Sequence, residues 1–523
     1  MPADQQLSKS LKPRHLSMIA IAGVIGAGLF VGSGAAIQQA GPGILVAYAA
    51  AGLVVILVMR MLGEMAAANP ETGSFSTYAD KALGRWAGFS IGWLYAWFWI
   101  IVLGIEATAG AAIMHRWVPG IDQWVWALAL MILLTLTNLG SVKSYGEFEF
   151  WFASIKVAAI VLFLLFGAAA ILGLIPGVPA PGLDNLIGNG GFMPNGPGAV
   201  LAGILVVVFS FFGAEIATIA AGESENPVDA VKKAVKSTVW RILVFYIGSI
   251  AIVVTLLPWN SASVAKSPYV AVIELFGIPG AGTIMDIVVL TSVLSCLNSG
   301  LYTASRMLFS LSRRGDAPKS WMRISKTGVP SAAVLASAVV GFITVGLNYI
   351  APDTVFLFLV NTSGAIALFV WLVIASSQLI LRRRMGAAAK DLQLKMWLFP
   401  YLTWVAIVSI VALLIGMVIL ESTRESLVLS LALAAVVVGI GVFRYRRNGA
   451  KATVPSAGED GAPAPEGSVA GAPAGASREE NSLAHAEAQA GKDPVRGASE
   501  DEDSLVRAGA SADEATAVAR PAQ

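Results

Sequence analysis

Gly23-Val24-Ile25-Gly26-Ala27-Gly28-Leu29-Phe30 places three glycines within eight residues, in the middle of an apolar segment running from 17 to 39. Glycine weakens a helix, but in a membrane it also permits close helix packing, so the run has two readings. In one it is a packing face. In the other the helix unwinds there, and the free N–H groups that start its second half meet an anionic group, because the partial positive charge of a helix N-terminus suits a carboxylate. A second stretch of the same kind favours the unwound reading. Phe209-Ser210-Phe211-Phe212-Gly213-Ala214-Glu215 interrupts the apolar segment 198–221 and is followed by Gly222-Glu223-Ser224-Glu225-Asn226-Pro227.

The surrounding chain sets the class. Of 523 residues, 56% are hydrophobic and only 13% charged, with a mean hydropathy of +0.73. A water-soluble domain carries about a quarter charged residues, so an ordinary soluble protein is excluded. Roughly 20 apolar residues cross a hydrocarbon core as a helix, and that ruler gives about twelve segments between 17 and 443. The first has no small-residue cleavage site of the kind a removable signal carries, so it stays as span 1. One cysteine, Cys296, excludes an intramolecular disulfide and a thiolate cluster. Three scattered histidines, His15, His115 and His485, leave little for a metal site or a Ser-His-Asp triad, so no cofactor, no metal and no enzymatic activity are expected.

The connecting loops assign orientation. Lys9, Lys12, Arg14, Lys81, Arg85, Lys143, Lys232, Lys233, Lys236, Arg241, Arg313, Arg314, Lys319, Arg382 to Arg384, Arg444, Arg446 and Arg447 fall on one side, against Arg116, Lys266 and Arg424 on the other. The positive-inside rule then puts both termini in the cytoplasm, and the even parity agrees with twelve spans. Spans 1 and 6 run in opposite directions and lie five apart, the arrangement of an inverted repeat of five plus five helices, with spans 11 and 12 outside it. The expected organisation is a cytoplasmic segment 1–16, an all-α transporter domain 17–445 (repeat one 17–176, repeat two 198–381, extra helices 398–445), and a tail 446–523. The tail is rich in Ala, Gly, Pro, Ser and acidic residues, and reads as a disordered, solvated extension.

Three ionisable residues stand inside spans. Lys156 lies nine residues beyond Glu147, about 13 Å along a helix, near the middle of the bilayer. A charge there costs at least about 2.5–3.5 kcal/mol. Such a lysine is a candidate proton carrier, or a fixed stand-in for a metal cation. Glu106 falls in the outer half of span 3, and Glu215 in the inner third of span 6, as a gate or a structural partner. The alternative for all three is a buried polar residue held by helix-helix hydrogen bonds. Ser295, Asn298 and Ser299 in span 8, and Asn361, Thr362 and Ser363 in span 10, either line the same cavity or stitch helices together. Glu64, Asp80, Lys81, Arg313, Arg314 and Asp316 are expected to form salt bridges on the inner face. Trp93, Trp97 and Trp99 lie deep enough in span 3 to form a cavity wall.

At these residues the sequence resembles the amino acid/polyamine/organocation transporter superfamily. The likeness rests on the run 21–30, on Gly63-Glu64-Met65 through Thr72 to Ala79, and on Glu223 to Pro227. More narrowly it resembles the bacterial gamma-aminobutyrate (GABA) permeases, through 88–99 with Glu106, Tyr145 to Trp151, Gly191 to Gly196, and Ser292 to Arg306 continuing into Ser312 to Pro318. It extends over residues 11–447. The resemblance implies a LeuT-like fold with discontinuous helices 1 and 6, working by alternating access in the plasma membrane, with an amino acid and protons as partners and no nucleic acid. It implies that the substrate carboxylate meets amides around Gly26, Ala27 and Gly28, and that its ammonium meets carbonyls near Ala22, Gly23, Phe209, Ser210 and Phe211. It further implies that Phe209 is the occluding aromatic, that Lys156 stands where sodium-coupled relatives hold an ion, and that Glu215 is a gate-side carboxylate. Ala27 departs from the Ser or Thr of many relatives and removes a hydroxyl contact to the carboxylate.

The expected function is proton-coupled uptake of GABA or a related amino acid. The charges of GABA are three methylenes apart, and Glu106 is the candidate acceptor for the far ammonium. The rivals are a permease for aromatic, basic or amide amino acids, a channel, which would need a ring of charges or a filter loop, and an intramembrane enzyme, which would need nucleophile-base pairs or metal ligands.

Overall fold

The computed structural model describes residues 18, 25–69, 74–140, 142–216 and 227–447, and every regular element among them is helical. Ten helical runs are long and apolar enough to cross a bilayer. One of them, Gly28–Ala68, holds two of the expected spans: a π-helical turn Gly28–Gly32 leads into α1 (Ser33–Ala40), and α2 (Ile44–Ala68) follows after a 3-10 turn at Gly41–Gly43. The reversal needs Gly41, whose φ is +64° and whose missing Cβ would stand 2.5 Å from the Pro194 ring.

The other crossing helices are α4 (Arg85–Trp117), α5 (Gln123–Gly140), α6 (Val142–Ile171), a π segment Arg241–Gly248 continuing as α9 (Ser249–Leu256), α12 (Ala281–Arg313), α13 (Ser331–Ile350), α14 (Pro352–Met385), α15 (Tyr401–Ile419) and α16 (Glu421–Arg447). Span 6 is represented by α7 (Gly196–Phe211), 16 residues and too short to cross alone. All twelve expected segments thus have a helical counterpart, spans 1 and 6 as halves. The remainder of span 1 before Ile25, apart from Met18, and that of span 6 after Ile216 lie outside the described residues, as does the expected tail beyond Arg447. Shorter helices α3 (Ser74–Leu83), α8 (Pro227–Trp240), α10 (Ala262–Lys266) and α11 (Pro268–Glu274) lie between spans.

Glycines report how the broken helices meet. Gly28 abuts the Phe209 ring and the Ser210 backbone, Gly32 abuts Val206, and Gly203 faces Ala36 and Ala40. As the chain advances along the first helix it retreats along α7, so the two pack antiparallel. The long helices α4 and α12, 33 residues each, do the same. Arg85 at the start of α4 donates to the Arg314 carbonyl just after α12, and Arg116 at the end of α4 pairs with Asp286 near the start of α12 at 2.7 Å. Two antiparallel pairs, spans 1 with 6 and 3 with 8, are what an inverted repeat of five requires.

Helix α4 is buried along nearly its whole length and forms the centre, whereas α15 and α16 present apolar side chains outward, among them Tyr401 at 75% and Phe443 at 67% exposure. Apolar surface on this scale suits lipid. The basic helix ends gather on one face. There Glu64 of α2, buried, accepts from Arg382 at 2.7 Å, Gln378 at 2.9 Å and the Met396 N–H, and Arg384 donates to the carbonyls of Lys81 and Ala82. Asp316 pairs with Arg314 at 3.6 Å and accepts from the Tyr445 hydroxyl. Burial raises the Asp80 carboxyl above the ordinary aspartate range, against the pull of Arg85 and Arg314.

One sequence expectation is corrected on this face. Arg241, counted among the exposed loop charges, is 3% exposed and lies in the field of Glu215 and Tyr246. The amphipathic α8 carries Lys232, Lys233 and Lys236, and the chain has already turned into the bundle by Arg241.

Candidate functional site

Both broken helices leave backbone donors without helical acceptors, and at each break a glutamate supplies one. Helix 1 is unwound at Ile25 and Gly26, and the Ala27 N–H donates to both carboxylate oxygens of Glu106, at 3.2 and 3.0 Å. Glu106 comes from the second half of α4, as expected from the sequence, and is 1% exposed. Gly26 is required there, since a Cβ would stand 2.5 Å from Glu106 Oε1 and 2.7 Å from Cys296 Cβ. At the second break α7 stops at Phe211, Phe212 turns extended (ψ 143°), and Gly213 takes a φ of +103°. The Gly213 N–H then donates to Glu215 Oε1 at 3.1 Å, with Glu215 1% exposed.

Each carboxylate has a buried cation in its field. For Glu215 it is Arg241, and for Glu106 it is Lys156, a side chain with no exposed surface on α6. Lys156 also feels Glu149, which is fully buried two turns earlier on the same face of α6. Ser295 of α12 donates to Glu149 at 2.7 Å, and Ser299 and Asn298 lie within hydrogen-bonding reach of it. Asn138 of α5 donates to Asn298 Oδ1 at 2.6 Å, which leaves the Asn298 amide hydrogens for Glu149.

A cavity opens between the two breaks. Gly28, Phe98, Trp99, Glu106, Phe209 and Phe212 form its main walls, completed by Val102, Ser210 and Cys296. Phe98 packs against Phe212 at 4.0 Å and Phe209 at 6.3 Å between ring centroids. Its volume of about 10 Å³ holds about one water. A small charged organic ligand would meet one carboxylate, backbone amides and aromatic faces, and those faces attract a cation. Among the described residues no group of His, Cys, Asp and Glu has the arrangement of a metal site.

The residues expected from the sequence divide accordingly. Gly26, Ala27, Gly28, Glu106, Phe209 and Ser210 come together at the cavity. Phe211 points away, onto Tyr246 at 4.8 Å and Tyr48 at 5.7 Å. Ala22 and Gly23 lie outside the described residues. Ser295, Asn298 and Ser299 face Glu149, and Thr362 donates to the Phe358 carbonyl while its own carbonyl takes a bond from Ser430, tying α14 to α16. Of the three tryptophans only Trp99 reaches the cavity; Trp93 donates to the Asp316 carbonyl. Sequence alone assigns no site role to Glu149 and puts Arg241 among the loop charges. The seven-residue spacing of Glu149 and Lys156, which puts both on one helix face, was the available signal.

A family model for amino acid permeases matches residues 15–452. The chain belongs to the amino acid permease family. It is 56% identical over 448 residues to the gamma-aminobutyric acid permease of Bacillus subtilis (strain 168), covering 85% of this chain and 96% of that one. To the gamma-aminobutyric acid permease of Escherichia coli (strain K12) it is 54% identical, covering 82% and 92%, and to the aromatic amino acid transport protein AroP of Corynebacterium glutamicum 43%, covering 82% and 94%. The fold resembles the crystal structure of a mutant manganese transporter from Eremococcus coleocola, with a TM-score of 0.52 at 12% identity over 83% of this chain and 94% of that one. This permease is therefore a multi-pass membrane transporter for amino acids, and not an enzyme.

Proposed function

We propose that this permease takes up GABA or a closely related amino acid with a proton, by alternating access, in the plasma membrane with its basic face in the cytoplasm. The observation that carries the reading is the Glu106 carboxylate on the Ala27 N–H, at the cavity wall. An ionised Glu106 occupies a backbone donor that a substrate carboxylate needs. Protonation of Glu106 weakens that bond and frees Ala27, so binding of substrate and proton become one event. The substrate ammonium then faces the aromatic walls and the backbone around the second break. Ala27 has no hydroxyl, which leaves the N–H groups of the break as the carboxylate's donors.

A cavity with room for about one water cannot hold an amino acid, so the helices must part for entry. Lys156 keeps a positive charge in the field of Glu106 throughout, and Glu215 with Arg241 stands beside the second break as the gate-side pair. GABA is favoured over other amino acids by the 52–56% identity of three relatives that carry GABA permease names, each sharing 82% or more of this chain. The aromatic walls support the second reading, an aromatic amino acid substrate.

Reconstitution in proteoliposomes tests both substrate and coupling. Labelled GABA should accumulate under an inward pH gradient without sodium, and unlabelled GABA should compete better than phenylalanine, lysine or glutamine. Dependence on sodium defeats the coupling assignment, and failure of GABA to compete defeats the substrate. Glu106→Gln, a fixed copy of the protonated form, should lose accumulation but keep GABA counterflow.

A further inference from the structure

Two buried carboxylates and one buried ammonium share the space between α4, α6 and α12. Glu106, Glu149 and Lys156 have 1%, 0% and 0% of their surface exposed. The titratable groups facing them are Cys296 of α12, beside Glu106 and in the field of Lys156 and Glu149, and Tyr246 of the π segment before α9, in the field of Glu106 and Cys296. With both carboxylates ionised and the lysine protonated, the set carries one excess negative charge. Charge isolated in a low-dielectric interior is costly, so the favourable state of the set holds one more proton. The surroundings decide where that proton sits. The Ser295 hydroxyl donates to Glu149 Oε1 at 2.7 Å and Ser299 and the Asn298 amide stand close by, donors that favour an ionised carboxylate, while Glu149 Oε2 is buried without a hydrogen-bond partner. Glu106 has one backbone donor, the Ala27 N–H at the break of helix 1, and one weak donor, the Cys296 thiol, and it opens onto the cavity.

We propose that Glu149 is the permanent counter-ion of Lys156, held ionised by the α12 donors, and that by balancing the lysine it reserves Glu106 for the transported proton. This rests on the proton-coupled reading above and adds to it a positioning residue that acts through Lys156 without touching substrate. Without Glu149, Lys156 and Glu106 form a neutral pair that needs no proton, so loading Glu106 demands more acid.

The test is the pH profile of gradient-driven GABA uptake in proteoliposomes, for the full chain and for Glu149→Gln and Glu149→Asp, with counterflow exchange measured in parallel. Glu149→Gln should move half-maximal uptake to lower pH by about one unit or more, the change expected for removing a neighbouring charge, while Glu149→Asp keeps the wild-type profile. An unmoved profile in Glu149→Gln, or an equal shift in Glu149→Asp, overturns the counter-ion role. Loss of counterflow in both variants at wild-type expression also overturns it, since it shows a structural role. Wild-type uptake indifferent to the pH gradient instead overturns the proton reading itself, and this inference with it.

Discussion

Gly26 illustrates how tightly the site is built at the residue scale. A methyl group there would collide with Glu106 Oε1 and Cys296 together, so Gly26→Ala should push the carboxylate from the Ala27 N–H. GABA uptake in Gly26→Ala should fall at least tenfold at normal membrane expression. Gly439→Ala in α16, where nothing lies within 4 Å, should transport as wild type and serves as the control. The sequence exposed this glycine run as a break but not its partner. Glu106 was placed in the outer half of its span by counting along one helix, and counting cannot tell which turns of different helices meet. Glu149 was hidden for a similar reason: it lies two residues from Glu147, which reads as the approach to the span, although it is fully buried. Lys156 was legible because a lone charge among apolar residues has no cheap explanation.

At the scale of elements, the two broken helices answer each other. Each ends its regular hydrogen bonding beside a glutamate that accepts a freed N–H, and each glutamate has a cation in its field. The antiparallel contacts of Gly28 with Ser210 and Gly32 with Val206 are consequences of small residues permitting close approach. On the basic face, the segment between α14 and α15 is tied to α2 by Glu64, which bonds Arg382, Gln378 and the Met396 N–H. Removing one partner of such a buried pair costs about 3–5 kcal/mol. Glu64→Ala should therefore lower the unfolding temperature in detergent well below that of Asp286→Ala, which breaks the more exposed Arg116 pair, worth about 1 kcal/mol or less. Equal losses would show that the Glu64 cluster does not hold the inner face. The sequence named Glu64 as a salt-bridge former but not its partner, since 318 residues separate it from Arg382.

For the whole molecule, hydropathy and charge counting were enough to place the helices, and family membership agrees with them over residues 15–452. The half-length α7 could be read in advance from the glycine-interrupted run Phe209 to Glu215; the cavity's size of about 10 Å³ could not, because it depends on how Phe98 of α4 packs against Phe209 and Phe212 at the end of α7. The residues after Ala452 fall outside the described residues and outside the family match. A chain truncated there should take up GABA at the wild-type rate, and a loss of more than about half would assign the tail a part in transport. The central claim is that substrate and proton bind together because Glu106 holds the helix 1 break. The direct measurement is GABA accumulation and GABA counterflow, side by side, in wild type and Glu106→Gln proteoliposomes under an inward pH gradient. The account predicts that wild type does both and that Glu106→Gln exchanges without accumulating; accumulation by Glu106→Gln at the wild-type level would contradict it.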